Sequence, residues 1–66
     1  MRILKLRGKM VESGLNAENL AAKMGIDRAT LYRKLNDGDK FTVAEAKKIK
    51  TVLNLTRDEA HDIFFD

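Results

Sequence analysis

The stretch LAAKMGIDRATLYRK, residues 20–34, places two helical patterns almost end to end. Each pattern carries apolar residues at the spacing of one helix face: Leu20, Ala21 and Met24, then Leu31 and Leu35. About three residues separate the patterns, and Gly25 is the first of them. Glycine adopts a positive φ without a Cβ clash, so it suits a helix end that turns at once. The stretch therefore predicts two short helices joined by a tight turn, with Ile26 filling the angle between them.

The whole chain has the pattern of short helices. Its 66 residues contain no proline, and glycines at positions 14, 25 and 38 divide it at intervals of about a dozen residues. No stretch shows the alternation of a strand. We predict a single all-α domain over 1–66, with helices over 2–13, 17–24, 28–36, 43–53 and 57–64, and NDGDK as a polar loop.

Capping residues support these boundaries. Ser, Thr, Asp and Asn accept the free N–H groups of a first helical turn, and glycine often follows a last turn. We expect N-caps at Asn16 and Asp27, a glycine end at Gly14, and capping boxes in TVAE (Thr42, Glu45) and TRDE (Thr56, Glu59).

The apolar positions predict one shared core. It comprises Ile3, Leu6, Met10, Leu20, Ala21, Met24, Leu31, Leu35, Phe41, Val43, Ala46, Ile49, Val52, Leu53, Ile63 and Phe64, with part of Tyr32. Adjacent helical residues point about 100° apart, so Phe65 is expected to be partly exposed.

The charge is unevenly distributed. Residues 1–50 carry twelve lysines and arginines against six acids, whereas residues 51–66 carry one against four. A basic body predicts a polyanionic partner, with the acidic end facing away from it. Without cysteine and with one histidine, we expect no disulfide, metal, cofactor or small-molecule ligand. We also expect no leader peptide, no membrane span and a cytoplasmic location.

Residues 14–35, GLNAENLAAKMGIDRATLYRKL, resemble the helix-turn-helix of the lambda-repressor-like family (Cro/C1, or XRE). The helix order and the segments FTVAEAKKI and DEAHDIFF extend the resemblance over nearly the whole chain. It implies a compact five-helix DNA-binding domain, with its helix-turn-helix at about 17–36 and its third helix in the major groove. The small size and terminal IFF resemble short phage regulators. A repressor or Cro-like protein on a double-stranded operator, in the nucleoid of a bacterial host, is implied.

The resemblance also implies which residues touch DNA. Base contacts are expected from Arg28, Ala29, Tyr32 and Arg33. An arginine can donate two hydrogen bonds to guanine, and alanine can lie against a thymine methyl. Backbone contacts are expected from Asn16, Ala17, Thr30, Lys34, Asn36 and Lys40, the last two in the loop after helix 3.

Two positions depart from the family pattern. Ala17 stands where many members carry a glutamine that bridges phosphate and base, so that contact is lost or replaced by Arg28. Met10 and Asn36 stand near a position pair that often holds a buried arginine–glutamate bridge. We expect apolar packing there instead.

The two other classes of function are an enzyme and a protein-interaction module. No nucleophile–base set, carboxylate pair or phosphate loop indicates an enzyme, and His61 reads as a surface residue. A protein-interaction module of antirepressor or antitoxin type is the alternative, but arginines on the outer face of helix 3 favour DNA. A homodimer through helix 5 or the helix 3–4 loop and a monomer are equally compatible with the sequence.

Overall fold

Five helices account for most of the computed structural model, which describes residues 1–37 and 40–65. They are α1 (Ile3–Glu12), α2 (Ala17–Met24), α3 (Arg28–Asp37), α4 (Val43–Val52) and α5 (Arg57–Phe64). No strand occurs in these two ranges, so the all-α class is confirmed, and each helix end lies within one residue of its predicted place. The glycine expected to end a segment at Gly38 lies outside the described residues.

The predicted helix starts are confirmed by their hydrogen bonds. The side chain of Asn16 accepts from the Asn19 N–H at 2.8 Å, and that of Asp27 accepts from the Ala29 N–H at 3.1 Å. In both capping boxes the threonine hydroxyl accepts the glutamate N–H at 3.1 Å. The glutamate carboxylate in turn accepts the threonine N–H at 2.8 Å. The short helices therefore begin with partners for N–H groups that would otherwise lack them.

Three helices end in the same way. Gly14, Gly25 and Asn54 have φ values of 70°, 73° and 53°. The residue after each donates its N–H five positions back, as in a Schellman motif: Leu15 to Met10, Ile26 to Ala21 and Leu55 to Lys50. Asparagine tolerates this conformation better than most residues. The ending at Asn54 was not predicted, because no glycine marks it.

The core is built largely from the predicted residues. Leu6, Leu20, Leu31, Ile49 and Ile63 are fully buried. Ile26 packs against the core from the turn, as expected. Ala17, Leu55 and Ala60 are also buried and were not predicted. Ile3, Phe41, Val52 and Phe64 are only half-buried, and the rings of the two phenylalanines meet edge to face with centroids 6.0 Å apart.

The prediction that Val43 is buried was wrong, since 62% of it is exposed. Val43 is the first residue of α4, and the buried face of that helix runs through Ala46 and Ile49. Val43 lies at the edge of this face, where it lines a surface groove with Phe65. Phe65 is 64% exposed, in agreement with its predicted position.

Ion pairs join α1 to α5. Arg2 and Lys5 contact the carboxylate of Asp62, and Lys9 contacts that of Glu59. The Lys9 ammonium and the Thr56 N–H lower the pKa of Glu59 to about 2. Hydrogen bonding by Lys5 likewise lowers the pKa of Asp62. Much of the acidic end is therefore neutralised by the start of the chain.

The link between α1 and α3 is polar, contrary to the expected apolar packing at Asn36. Met10 is buried, but the Arg7 guanidinium donates to the Asn36 side-chain oxygen at 2.7 Å. The same group reaches the Leu35 carbonyl at 3.4 Å. Asn36 also lies in the last turn of α3 rather than in the loop, because this helix extends to Asp37.

Candidate nucleic-acid interface

The α2–turn–α3 segment fixes how α3 faces outward. Only Gly25, Ile26 and Asp27 separate α2 from α3, and α2 packs against both α3 and α4. Leu31 and Leu35 anchor the inner face of α3 in the core. Because side chains four apart share a helix face, the opposite side of α3 must point into solvent.

Of the four residues predicted to contact bases, Ala29 and Arg33 lie on that outer side, Tyr32 lies at its edge, and Arg28 lies in the first turn of the helix. Arg28, Ala29, Tyr32 and Arg33 are exposed, and they occupy two adjacent rows with a spacing of four. The structure therefore brings together two guanidinium groups, a small apolar residue and a phenol on one helix surface. Such a surface offers donors that can approach base edges without an intervening side chain.

Arg28 has a neighbour that sequence reasoning did not single out. Its guanidinium lies 3.5 Å from the carboxylate of Glu18, in the first turn of α2, and both side chains are 64% exposed. At that distance and exposure the pair contributes about 0–1 kcal/mol. The only available signal was an acid ten residues before Arg28, which local patterning does not connect to it. Glu18 can hold Arg28 in place and release it at small cost.

The N-terminus of α2 offers backbone donors. Asn16 is exposed and its side-chain oxygen is used by the cap, while Ala17 is buried. Within residues 1–37 and 40–65, no acceptor meets the N–H groups of Ala17 and Glu18. Unmet N–H groups and the positive end of the helix dipole favour an anion. The neighbouring Glu18 carboxylate opposes this tendency.

Lys34 is placed differently from a phosphate ligand. Its side chain is 14% exposed, and its ammonium donates to the Glu45 carboxylate at 3.0 Å and to the Lys40 carbonyl at 3.1 Å. It also lies 5.7 Å from the centroid of the Phe41 ring. Burial raises the pKa of Glu45, but the Thr42 N–H and Lys34 outweigh it and lower that pKa. Lys34 thus joins α3 to the start of α4.

The remaining predicted backbone contacts are spread around α3. Thr30 is half-buried, Lys40 is exposed, and the oxygen of the Asn36 amide already accepts from Arg7. Thr30 therefore lies beside the outer side of α3 and Lys40 follows the helix in the chain, whereas Asn36 and Lys34 bond to residues of α1 and α4.

Residues 1–37 and 40–65 contain only short helices, of eight to ten residues each. None of their helices is both long enough and apolar enough to span a bilayer. No group of three or more His, Cys, Asp or Glu side chains there could hold a metal ion.

Comparisons with protein-family models, with curated proteins and with solved structures found no match to this chain.

Proposed function

We propose that the chain is a sequence-specific double-stranded DNA-binding protein, a transcriptional regulator of phage or prophage type. The exposed surface of α3 carries the proposal: Arg33 lies opposite the two buried leucines, and Arg28 extends from the first turn of the helix. A helix with side chains is about 10–12 Å wide, and the major groove is about 12 Å wide. In a helix-turn-helix, the second helix enters that groove with its N-terminal residues leading.

Residues in the first half of α3 recognise the bases. Arg28 exchanges the loose contact with Glu18 for the O6 and N7 atoms of a guanine, because its planar fork matches both acceptors. Arg33 offers the same chemistry one turn further along. Ala29 lies between them and is small enough to accept a thymine methyl, while Tyr32 reaches a sugar or a base edge.

Phosphate contacts hold α3 in register. The free N–H groups at the start of α2 and the Asn16 side chain face one strand, with Thr30 and Lys40 on either side of the recognition surface. Lys34 and Asn36 hold α3 in position through their contacts with Glu45 and Arg7. Binding of this kind blocks an operator to polymerase, in a repressor or Cro-like role.

A second copy of the chain completes the proposed complex. Met1, Phe41, Val43, Phe64 and Phe65 line one groove of about 350 Å³ between the start of α4 and the end of α5. Exposed apolar side chains gathered in this way mark a contact surface. Two copies joined there would place two α3 helices on half-sites about one DNA turn apart. Phe65→Glu is expected to reduce dimer formation in sedimentation velocity while leaving the monomer folded.

The interface can be mapped by titrating the ¹⁵N-labelled protein with a mixed-sequence 20-base-pair duplex. We expect amide shifts at Arg28–Arg33 and at the start of α2, with shifts at the end of α5 only where two copies pair on the duplex. Arg33→Ala should weaken binding, whereas Arg57→Ala removes the same charge from α5 and serves as the matched control. Shifts confined to α4 or α5, or equal losses in both variants, would overturn the proposal.

A further inference from the structure

Three lysines at the α2–α4 seam have no counter-ion among the residues that the structure describes. Lys5 and Lys9 contact the acids of α5, and Lys34 contacts Glu45. Lys23 and Lys47, in contrast, make no ion pair with any residue in the described ranges, and neither does Lys48. This part of the surface carries positive charge that residues 1–37 and 40–65 do not neutralise, which favours an external anionic group.

These lysines surround an apolar groove of about 350 Å³. Lys23 and Met24 from the end of α2 line one side, and Lys47, Lys48, Thr51 and Val52 from α4 line the other. Met24 is 3% exposed and Val52 is half-buried, so they form the floor, while the three lysines are exposed. The groove combines an apolar base with three flexible cations.

The groove is separate from the outer side of α3. Glu18, which contacts Arg28, and Lys23 are five positions apart on α2. Five residues correspond to roughly 140° around a helix, so the two side chains leave α2 on opposite flanks. A molecule in the groove therefore need not touch the residues proposed to contact DNA bases.

We propose that this groove docks an acidic, amphipathic segment of a protein partner. One apolar side chain of the segment rests on Met24 and Val52, and flanking carboxylates meet the three lysines. A nucleic-acid backbone suits the groove less well. The floor of Met24 and Val52 can accept an apolar side chain, whereas it offers a phosphate no hydrogen-bond partner. The inference does not depend on DNA binding by α3.

The probe is a synthetic peptide with one leucine between two runs of three glutamates, titrated into ¹³C-methyl- and ¹⁵N-labelled protein. We expect shifts at the Met24 and Val52 methyl groups and at the Lys47 and Lys48 amides. Replacing the leucine of the peptide with serine should abolish the methyl shifts. If the serine peptide binds with the same affinity and the same shifts, the apolar floor plays no part and the proposal fails.

A matched pair of charge reversals tests the lysines. Lys48→Glu should weaken the leucine peptide at least about fivefold, because it places like charges together. Lys50→Glu makes the same change two residues along α4, outside the groove lining, and should alter affinity by less than about twofold. Equal losses would show attraction by net charge alone and overturn the proposal. NMR shifts of the groove residues rather than of α3 on addition of a 20-base-pair duplex would also overturn the proposal. Loss of DNA binding without loss of peptide binding would refute the proposed function only.

Discussion

Arg28→Ala tests the assigned recognition surface most sharply. Arg28 is the first residue of α3, and its guanidinium is largely exposed beside Glu18. If it pairs with a guanine through two hydrogen bonds, its removal should relax the preference at one base position and leave the others intact. The fold should not change, because neither the core nor a capping bond involves this side chain.

The size of the effect follows from two opposing terms. A bidentate arginine–guanine contact contributes about 1–3 kcal/mol of discrimination. Breaking the exposed contact with Glu18 costs about 0–1 kcal/mol beforehand. Arg28→Ala should therefore weaken the preferred site by roughly 1–3 kcal/mol, towards the lower end if the Glu18 contact is held in solution. Glu18→Gln alone should tighten binding, since it frees Arg28 and removes an acid near the phosphates.

The assay is fluorescence anisotropy with the preferred duplex and with duplexes carrying one substituted base pair each. Arg28→Ala, Glu18→Gln and the double variant form a mutant cycle, whose coupling energy should be at most about 1 kcal/mol. Equal weakening on every duplex would mean that Arg28 contacts a phosphate. An unchanged base preference with unchanged affinity would show that the outer side of α3 is wrongly assigned.

Three further predictions concern stability and salt. Glu59→Gln keeps the capping bond to Thr56 but loses the charge next to Lys9. Because the folded pKa of Glu59 is about 2 against an ordinary 4.5, wild-type stability should fall as pH drops from about 4.5 towards 2, and the variant should flatten that fall in thermal melts. Leu31→Ala should cost about 2–5 kcal/mol in urea unfolding, since Leu31 is fully buried, and a cost below about 1 kcal/mol would contradict its place in the core. Lys40→Ala should weaken all DNA sequences alike and reduce the salt slope by about one, and a sequence-dependent loss would mean a base contact instead.

Local features of this chain could be predicted from sequence. N-caps and capping boxes depend on residues three positions apart, and helix faces depend on spacings of three and four. These gave five helices within a residue of their observed ends. The outward position of Arg33 followed from the same periodicity, once Leu31 and Leu35 were assigned to the core, whereas Arg28 is exposed because it begins the helix. The Schellman-type helix ending at Asn54 was not predicted, because asparagine indicates a helix end more weakly than glycine does.

Features that depend on which helices are neighbours could not be predicted. Arg7 meets Asn36 across 29 residues, and Lys34 meets Glu45 across a loop. Lys34 and Asn36 were predicted to contact phosphates and Arg7 was given no role, because sequence spacing carries no information about packing partners. Val43 was misplaced because periodicity does not show how far the core extends beyond the first turn of a helix.

The central claim is tested most directly by selecting bound duplexes from a random DNA pool at near-physiological salt. The account predicts an enriched motif containing guanines, palindromic if two copies bind together, whose guanine preference is lost in Arg28→Ala and Arg33→Ala but kept in Arg57→Ala. Weak, salt-sensitive binding with no enriched sequence would contradict it.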